Sequence, residues 1–308
     1  MWSYLARRLL MSLLVLFGVS VLTFSMLHLV PGDPVHAILG RQAVSAETIN
    51  NLRAELGLND PLPVQYGRFL ERAIHGDLGR SIRSKRPVTD VIFEQLPSTI
   101  KLTLSAMAVA ILIGLPLGVI AALNQNRWVD TLIMMAAISG VSIPSFWLGL
   151  ILILVFAIGL GWLPSVAASS DWRSLVLPAL TLGLAEAAVL TRLVRASMLD
   201  VLSQQYLKAA RAKGVPEQRV ITRHAFRNAL IPIVTMLGLQ FVYLLAGSVV
   251  VESIFARQGI GRVAVAAIEN RDFPLAQGVV LIVATFYVVI NTLTDLSYAL
   301  LDPRIRFK

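Results

Sequence analysis

The chain has 308 residues, of which 56% are hydrophobic and 15% charged, where soluble domains average about 45–50% and about 25%. With a mean hydropathy of +0.73, that excludes an ordinary soluble domain and points to a polytopic membrane protein. A net charge of +9 does not argue for nucleic acid, because the basic residues flank apolar runs, and the absence of cysteine removes disulfides, thiolate metal sites and cysteine nucleophiles together.

The apolar runs predict an all-α membrane protein with six transmembrane helices. Arg7 and Arg8 precede Leu9–Val30, which carries no formal charge over 22 residues and can cross about 30 Å of hydrocarbon. It is longer than the roughly 7–15 apolar residues of a secretory leader, so it reads as an uncleaved first span. Pro31–Ser98 is polar and rich in turns, with eight Lys/Arg and eight Asp/Glu. Helical patterns cover Ala46–Leu56 and Val64–Ile74, and the segment predicts a small extramembrane lobe. Thr99–Leu123 is the second span, with a small-residue and proline break at Gly114-Leu115-Pro116-Leu117-Gly118. After a polar turn at Asn124–Asp130, Thr131–Ser170 runs 40 residues without a charge. Ser139-Gly140-Val141-Ser142-Ile143-Pro144 interrupts this third span and Gly159–Pro164 ends it. Leu175–Leu190, carrying Glu186, is the fourth span, Ala229–Val251 the fifth and Leu275–Leu300 the sixth. The loop Glu252–Pro274 joins the last two, and a basic tail covers 302–308. Residues 1–98 thus form a first span plus lobe, and 99–308 a transmembrane core.

Orientation follows from the cations. The N-terminus, the 124–130 turn, the segment after the fourth span and the tail hold fourteen Lys/Arg, against four in the two short loops opposite. Both termini and the segment after the fourth span are therefore expected in the cytoplasm.

Between the fourth and fifth spans, Asp200–Pro232 is too polar to enter a bilayer. Gln204–Lys213 predicts a helix with Ser203 as N-cap and Gly214 ending it at positive φ. Pro216 suits the first turn of a second helix, on which Arg219, Arg223 and Arg227 make one stripe opposite Ile221 and Ala225. The resulting hairpin is suited to being gripped from outside the membrane.

Catalytic motifs are missing: there is no G-x-x-x-x-G-K-[ST], H-E-x-x-H or G-x-S-x-G, and His28, His36, His75 and His224 lack metal-ligand spacing. The chain is therefore read as no enzyme, with no metal site. Uphill transport would need an ion gradient or another subunit. Glu186 and Asp295 are the acidic candidates for an ion-coupled carrier, although pairing with Arg192 and with Arg304 or Arg306 is the plainer role for each. Ser139, Ser142, Thr235, Gln240 and Asn291 join Glu186 as polar residues able to line a path.

Lys208-Ala209-Ala210-Arg211-Ala212-Lys213-Gly214 resembles the EAA loop of permease subunits in binding-protein-dependent ABC importers of the type I fold, with Lys208 where the general motif has glutamate. The chain is similar throughout to the dipeptide, oligopeptide and nickel branch. The resemblance rests on Pro31-Gly32-Asp33-Pro34, Leu56-Gly57-Leu58 with Pro61, Gly76-Asp77-Leu78-Gly79, Arg86-Pro87-Val88 and Trp162-Leu163-Pro164. Further along come Arg227-Asn228-Ala229 with Pro232, Gly259-Ile260-Gly261, Arg271-Asp272-Phe273-Pro274 and Leu301-Asp302-Pro303-Arg304. The resemblance implies import of dipeptides or related small peptides, with glutathione, oligopeptides, opines and nickel chelates carried by near relatives. It implies a second homologous permease, two ATP-binding subunits that hold the ATP and Mg, and an extracytoplasmic solute-binding protein. Tyr206 and Leu207 with Lys208–Gly214 would then be the coupling helix against an ATPase. Arg257, Gln258, Gly259, Ile260 and Gly261 would form a scoop toward the binding protein, with Arg257-Gln258 where relatives often have Trp-Pro.

Overall fold

Val88–Leu123 forms one unbroken helix of 36 residues, which sets the pattern for the rest of the chain in the computed structural model. The structure describes residues 2–29, 59–166 and 171–301. The 31–34 and 56–58 motifs, the Ala46–Leu56 helix and the tail 302–308 lie outside the described residues. In chain order the helices are α1 Trp2–Leu29, α2 Leu62–Ile74, α3 Val88–Leu123, α4 Trp128–Ser142 and α5 Ser145–Leu152. They continue with α6 Arg173–Leu202, α7 Gln205–Ala212, α8 Phe226–Ile254, α9 Ile260–Glu269 and α10 Phe273–Leu301. Among the described residues the only strand-like pairing is an isolated bridge between Arg80 and Pro87.

Among the described residues five helices are long and apolar enough to cross a membrane, and a sixth span results if the bent pair α4–α5 counts as one. That pair turns by 103° at the predicted interruption. Pro144 lacks an amide hydrogen, and Ile143 before it takes an extended conformation, φ −82° and ψ 121°. Beyond α5, Ile153–Gly159 winds as a wide π turn.

Two boundaries depart from expectation. The second span does not start at Thr99: α3 begins at Val88, inside the stretch read as a polar lobe. Nor do Gly114 and Pro116 break it. A side chain at Gly114 would meet the Ala187 carbonyl and Leu190, and one at Gly118 would meet Val194. Gly183 of α6 sits equally close to Ala106 and Val109. These glycines let the α3 and α6 backbones approach, the use small residues commonly serve between membrane helices.

The chain divides into two compact units, Met1–Pro97 with Arg262–Thr292, and Ser98–Gly261 with Leu293–Lys308. In the first, Tyr66 of α2 packs edge-on against Phe17 and Phe24 of α1 and shares a 2.7 Å hydrogen bond with Ser20. Asp272 heads α10 and gathers the loop after Gly79, accepting from the Ser81 hydroxyl and from the Ile82 amide at 3.0 Å. The loop between the 76–79 and 86–88 motifs is therefore gathered around the carboxylate of the 271–274 motif. In the second unit the core falls into two apolar clusters. One is built on Leu102, Leu177, Leu244 and Phe255, the other on Leu190, Val194, Met198, Leu207, Val220 and Ile233.

Candidate functional site

The hairpin after α6 is anchored by one side chain. Leu207 is 0% exposed and joins the cluster of Val194, Met198, Val220 and Ala225. The rest of α7 faces out: Lys208, Ala209, Arg211, Ala212 and Lys213 are exposed, as is Tyr206. This follows from the sequence, since Leu207 and Ala210, three residues apart, share the inner face of a helix whose other positions are polar or small. Ser203 does not cap α7. Its hydroxyl turns back to the Asp200 carbonyl at 2.7 Å, and Gln204 takes the N-cap position without a side-chain bond.

The far end closes as a Schellman motif. Gly214 lies at φ +76°, its amide donates to the Arg211 carbonyl at 2.9 Å, and the Val215 amide donates to the Ala210 carbonyl at 3.2 Å. Ala210 and Val215 pack on the same cluster, the contact that usually accompanies this cap. Arg211 donates twice to Glu217, at 2.8 and 3.0 Å, tying the two arms together. That pairing holds the Glu217 carboxyl below its ordinary range and raises Arg211. Asn228 donates to the Tyr206 hydroxyl at 2.7 Å.

The predicted second helix is not separate from the fifth span. Glu217–Arg219 passes through a π turn, Val220–Ala225, directly into α8. Arg219, Arg223 and Arg227 are nonetheless all exposed, while Val220, Ala225 and Ala229 are buried.

The loop after α8 is packed quite differently. Of residues 257–261 only Gln258 is exposed. Glu252, 0% exposed, lies at the centre. The Thr99 hydroxyl donates to its Oε1 at 2.6 Å, and Thr99 Oγ1 accepts the Ile260 amide at 2.9 Å. The Arg257 amide donates to the Glu252 carbonyl at 2.8 Å, and the Ser98 hydroxyl bonds the Gln258 carbonyl. A Cβ on Gly259 would collide with the Glu252 carboxylate, and one on Gly261 with the Val249 backbone. The Gly-x-Gly spacing is thus a steric requirement of a buried acid. Arg257 is 6% exposed and its Nε has no partner in the structure. Burial pulls the Arg257 pKa down, and the charge of Glu252 opposes that shift.

Of the path candidates, the structure brings Glu186 and Gln240 together: Gln240 is buried and its Nε2 donates to the Glu186 carbonyl at 3.2 Å. Ser139 and Ser142 are exposed on α4, and Asn291 is half-buried on α10. The side chains of Thr235 and Asp295 lie outside the described residues. Glu186 does not pair with Arg192, which is exposed.

The buried ion pair of the core is instead one the sequence reading missed. Arg195 of α6 donates from Nε and Nη2 to both oxygens of Asp130, at 2.6 and 2.7 Å. Asp130 also accepts the Asn126 amide at 3.0 Å. A carboxylate in the first turn of an apolar helix was the available signal. Its partner 65 positions away was not predictable from spacing. Among the described residues no group of three His, Asp or Glu side chains is arranged to hold a metal.

The family described as "binding-protein-dependent transport system inner membrane component" matches residues 114–307, and its N-terminal companion matches residues 1–103. The chain belongs to this family. As such it is a multi-pass permease subunit of an ABC importer in the inner membrane, not itself an enzyme, and it works with ATP-binding subunits and a solute-binding protein. The chain is 47% identical over 308 residues to the glutathione transport system permease protein GsiC of Escherichia coli (strain K12), covering 100% of both chains. The GsiC protein of Shigella flexneri serotype 5b (strain 8401) matches at the same identity and coverage.

Two solved structures support the type I permease fold. The inward-facing MetNI methionine ABC transporter matches with a TM-score of 0.57 at 17% identity, covering 69% of this chain and 96% of that one. An amino acid ABC transporter with histidines gives 0.53 at 19% identity, covering 70% and 95%. The all-α permease of six transmembrane helices expected from the sequence agrees with these findings, with the bent α4–α5 pair counted as one span among the described residues.

Proposed function

We propose that this permease imports glutathione or a closely related small peptide, powered through α7. The observation that carries the substrate class is the full-length 47% identity to glutathione permeases. It favours glutathione over the broader dipeptide reading. The coupling role is supported by a helix that has one buried anchor, Leu207, and an exposed face of small and cationic residues between two spans. In this reading Tyr206–Gly214 seats in a groove of an ATPase subunit, where Ala209 and Ala212 leave room for close approach. ATP and Mg stay with two such subunits, and a second homologous permease completes the path. Lysine and arginine asymmetry puts both termini and the hairpin on the ATPase side.

The 31–98 lobe serves binding-protein docking, and 99–308 form the translocating core. Within 257–261 the contact with the binding protein falls to Gln258, with the buried residues as its scaffold. Ser139, Ser142, Glu186, Thr235, Gln240 and Asn291 remain candidates for the path.

The test is uptake of labelled glutathione, dipeptides and tripeptides by the reconstituted complex, with and without ATP. ATP-dependent glutathione uptake, suppressed more than about tenfold by Ala209→Trp, supports the reading. Uptake of dipeptides alone overturns the substrate, and full uptake by the Ala209→Trp complex overturns the coupling role.

A further inference from the structure

The Asp130–Arg195 pair stands where the coupling hairpin meets the rest of the core. Only two of the fifteen residues of α4 are buried, Asp130 and Ala137. Toward the 103° break, Gly140 approaches Ala188 of α6, where an added Cβ would stand 3.1 Å away. At the other end, Leu132 and Met135 are exposed, so the two-point contact between Asp130 and Arg195 is the buried anchor there. Arg195 lies one turn before Met198, which clusters with Leu207 of α7. Only Ser203 and Gln204 separate α6 from α7. The Asn126 amide binds the same carboxylate, so the turn before α4 is tied to α6 as well.

A bidentate arginine–carboxylate pair holds direction as well as distance. Asp130 is buried while the Arg195 side chain is 24% exposed, so opening the pair would leave a buried carboxylate without its arginine, which disfavours a cycle that breaks it each time.

We infer that Asp130 and Arg195 are a positioning pair that fastens α4 to α6, so that displacement of α7 is delivered to the exposed Ser139 and Ser142 face of α4. The inference rests on the coupling role proposed for α7. The pair touches neither substrate nor nucleotide. It converts two packed helices into one lever and stays closed through the cycle.

The experiment measures three quantities on the reconstituted four-subunit complex and its binding protein: amount assembled, ATP hydrolysis, and glutathione taken up per ATP hydrolysed. Asp130→Asn and Arg195→Gln are expected to leave assembly and hydrolysis within about twofold while lowering uptake per ATP about tenfold. Unchanged uptake per ATP in whatever complex assembles would reduce the pair to a structural contact and overturn the inference.

Because the chain has no cysteine, Asp130→Cys with Arg195→Cys can be bridged by a short reducible bis-thiosulfonate reagent, with partner subunits made cysteine-free. Bridging is expected to restore uptake, and reduction to remove it again. A bridged complex that hydrolyses ATP but imports less than the unbridged one would mean that the pair must open, which also overturns the inference. If Ala209→Trp imports normally while Asp130→Asn does not, the coupling role of α7 fails and the fastening of α4 to α6 survives on its own.

Discussion

The hairpin at 203–216 and the loop at 255–261 look alike in sequence, each a short polar connection between spans with glycine near its turn. They are physically opposite. In the hairpin Leu207 is buried, Ala210 and Val215 lean on the same cluster, and the other side chains are offered outward. In the loop one glutamate is buried and the backbone is drawn in around it, leaving Ala256 and Gln258 outside. A surface meant to meet a partner keeps its charges solvated, because desolvating an unpaired charge is costly. A knot holding two helices turns its polar groups inward, where Thr99 donates to Glu252 and accepts the Ile260 amide. Glycine serves φ in the first and space in the second.

That contrast can be broken most directly at Gly259. Gly259→Val drives a side chain into a carboxylate that Thr99 holds in place, and the expected outcome is no recoverable complex by size-exclusion chromatography. Gly259→Ala should still cost about 3 kcal/mol, at the upper end of overpacking. Recovery of either variant at wild-type melting temperature would dissolve the contrast.

Next is Leu207→Ala, expected to cost about 2–5 kcal/mol as a cavity in a fully buried site. It should release α7 while the spans persist, so limited proteolysis ought to find the 208–213 segment before any other site. Gly214→Ala follows, with a cost of about 1 kcal/mol. Its Cβ has open space around it and only the left-handed backbone opposes it. A Gly214→Ala loss as large as that of Gly259→Ala would show that conformation and space had been assigned to the wrong glycines.

The smallest effect belongs to Glu217→Gln. The Glu217 pKa is depressed in the folded chain by Arg211. The pair therefore contributes fully above the ordinary glutamate range, and its contribution is lost as pH falls through the depressed value. The melting-temperature difference between wild type and Glu217→Gln should be small and constant at neutral pH and vanish in acid. Solvent exposure keeps it modest, and added salt should shrink it further.

Much of the fold was legible because apolar runs of bilayer length leave few alternatives. Gly214 and Pro144 announced their turns because one tolerates positive φ and the other lacks a donor. What was hidden depended on long-range partners. Val88–Ser98 reads as polar loop until Val88 and Ile92 are seen buried, with Gly278 packed against both. Gly114 reads equally as a kink or a point of close packing until Leu190, and Val194 beside Gly118, show that packing is its use. The basic triplet 219/223/227 was found from spacing alone, whereas Asp130, Glu252 and Asp272 carry charges whose partners lie 65 to 191 positions away. The scoop residues were picked out as a group, but spacing could not tell which of them would face outward. Glu252, which orders them, was read only as the first residue of the loop.

The wide turn at Val220–Ala225 has a consequence for how these proteins vary. A π turn accommodates one more residue than an α turn between the same two ends. Removing a single residue there would tighten the winding and swivel the preceding hairpin by about 100° against α8. Homologous chains that differ by one residue at this spot would present the same elbow in a different direction, while their apolar helices remained superimposable.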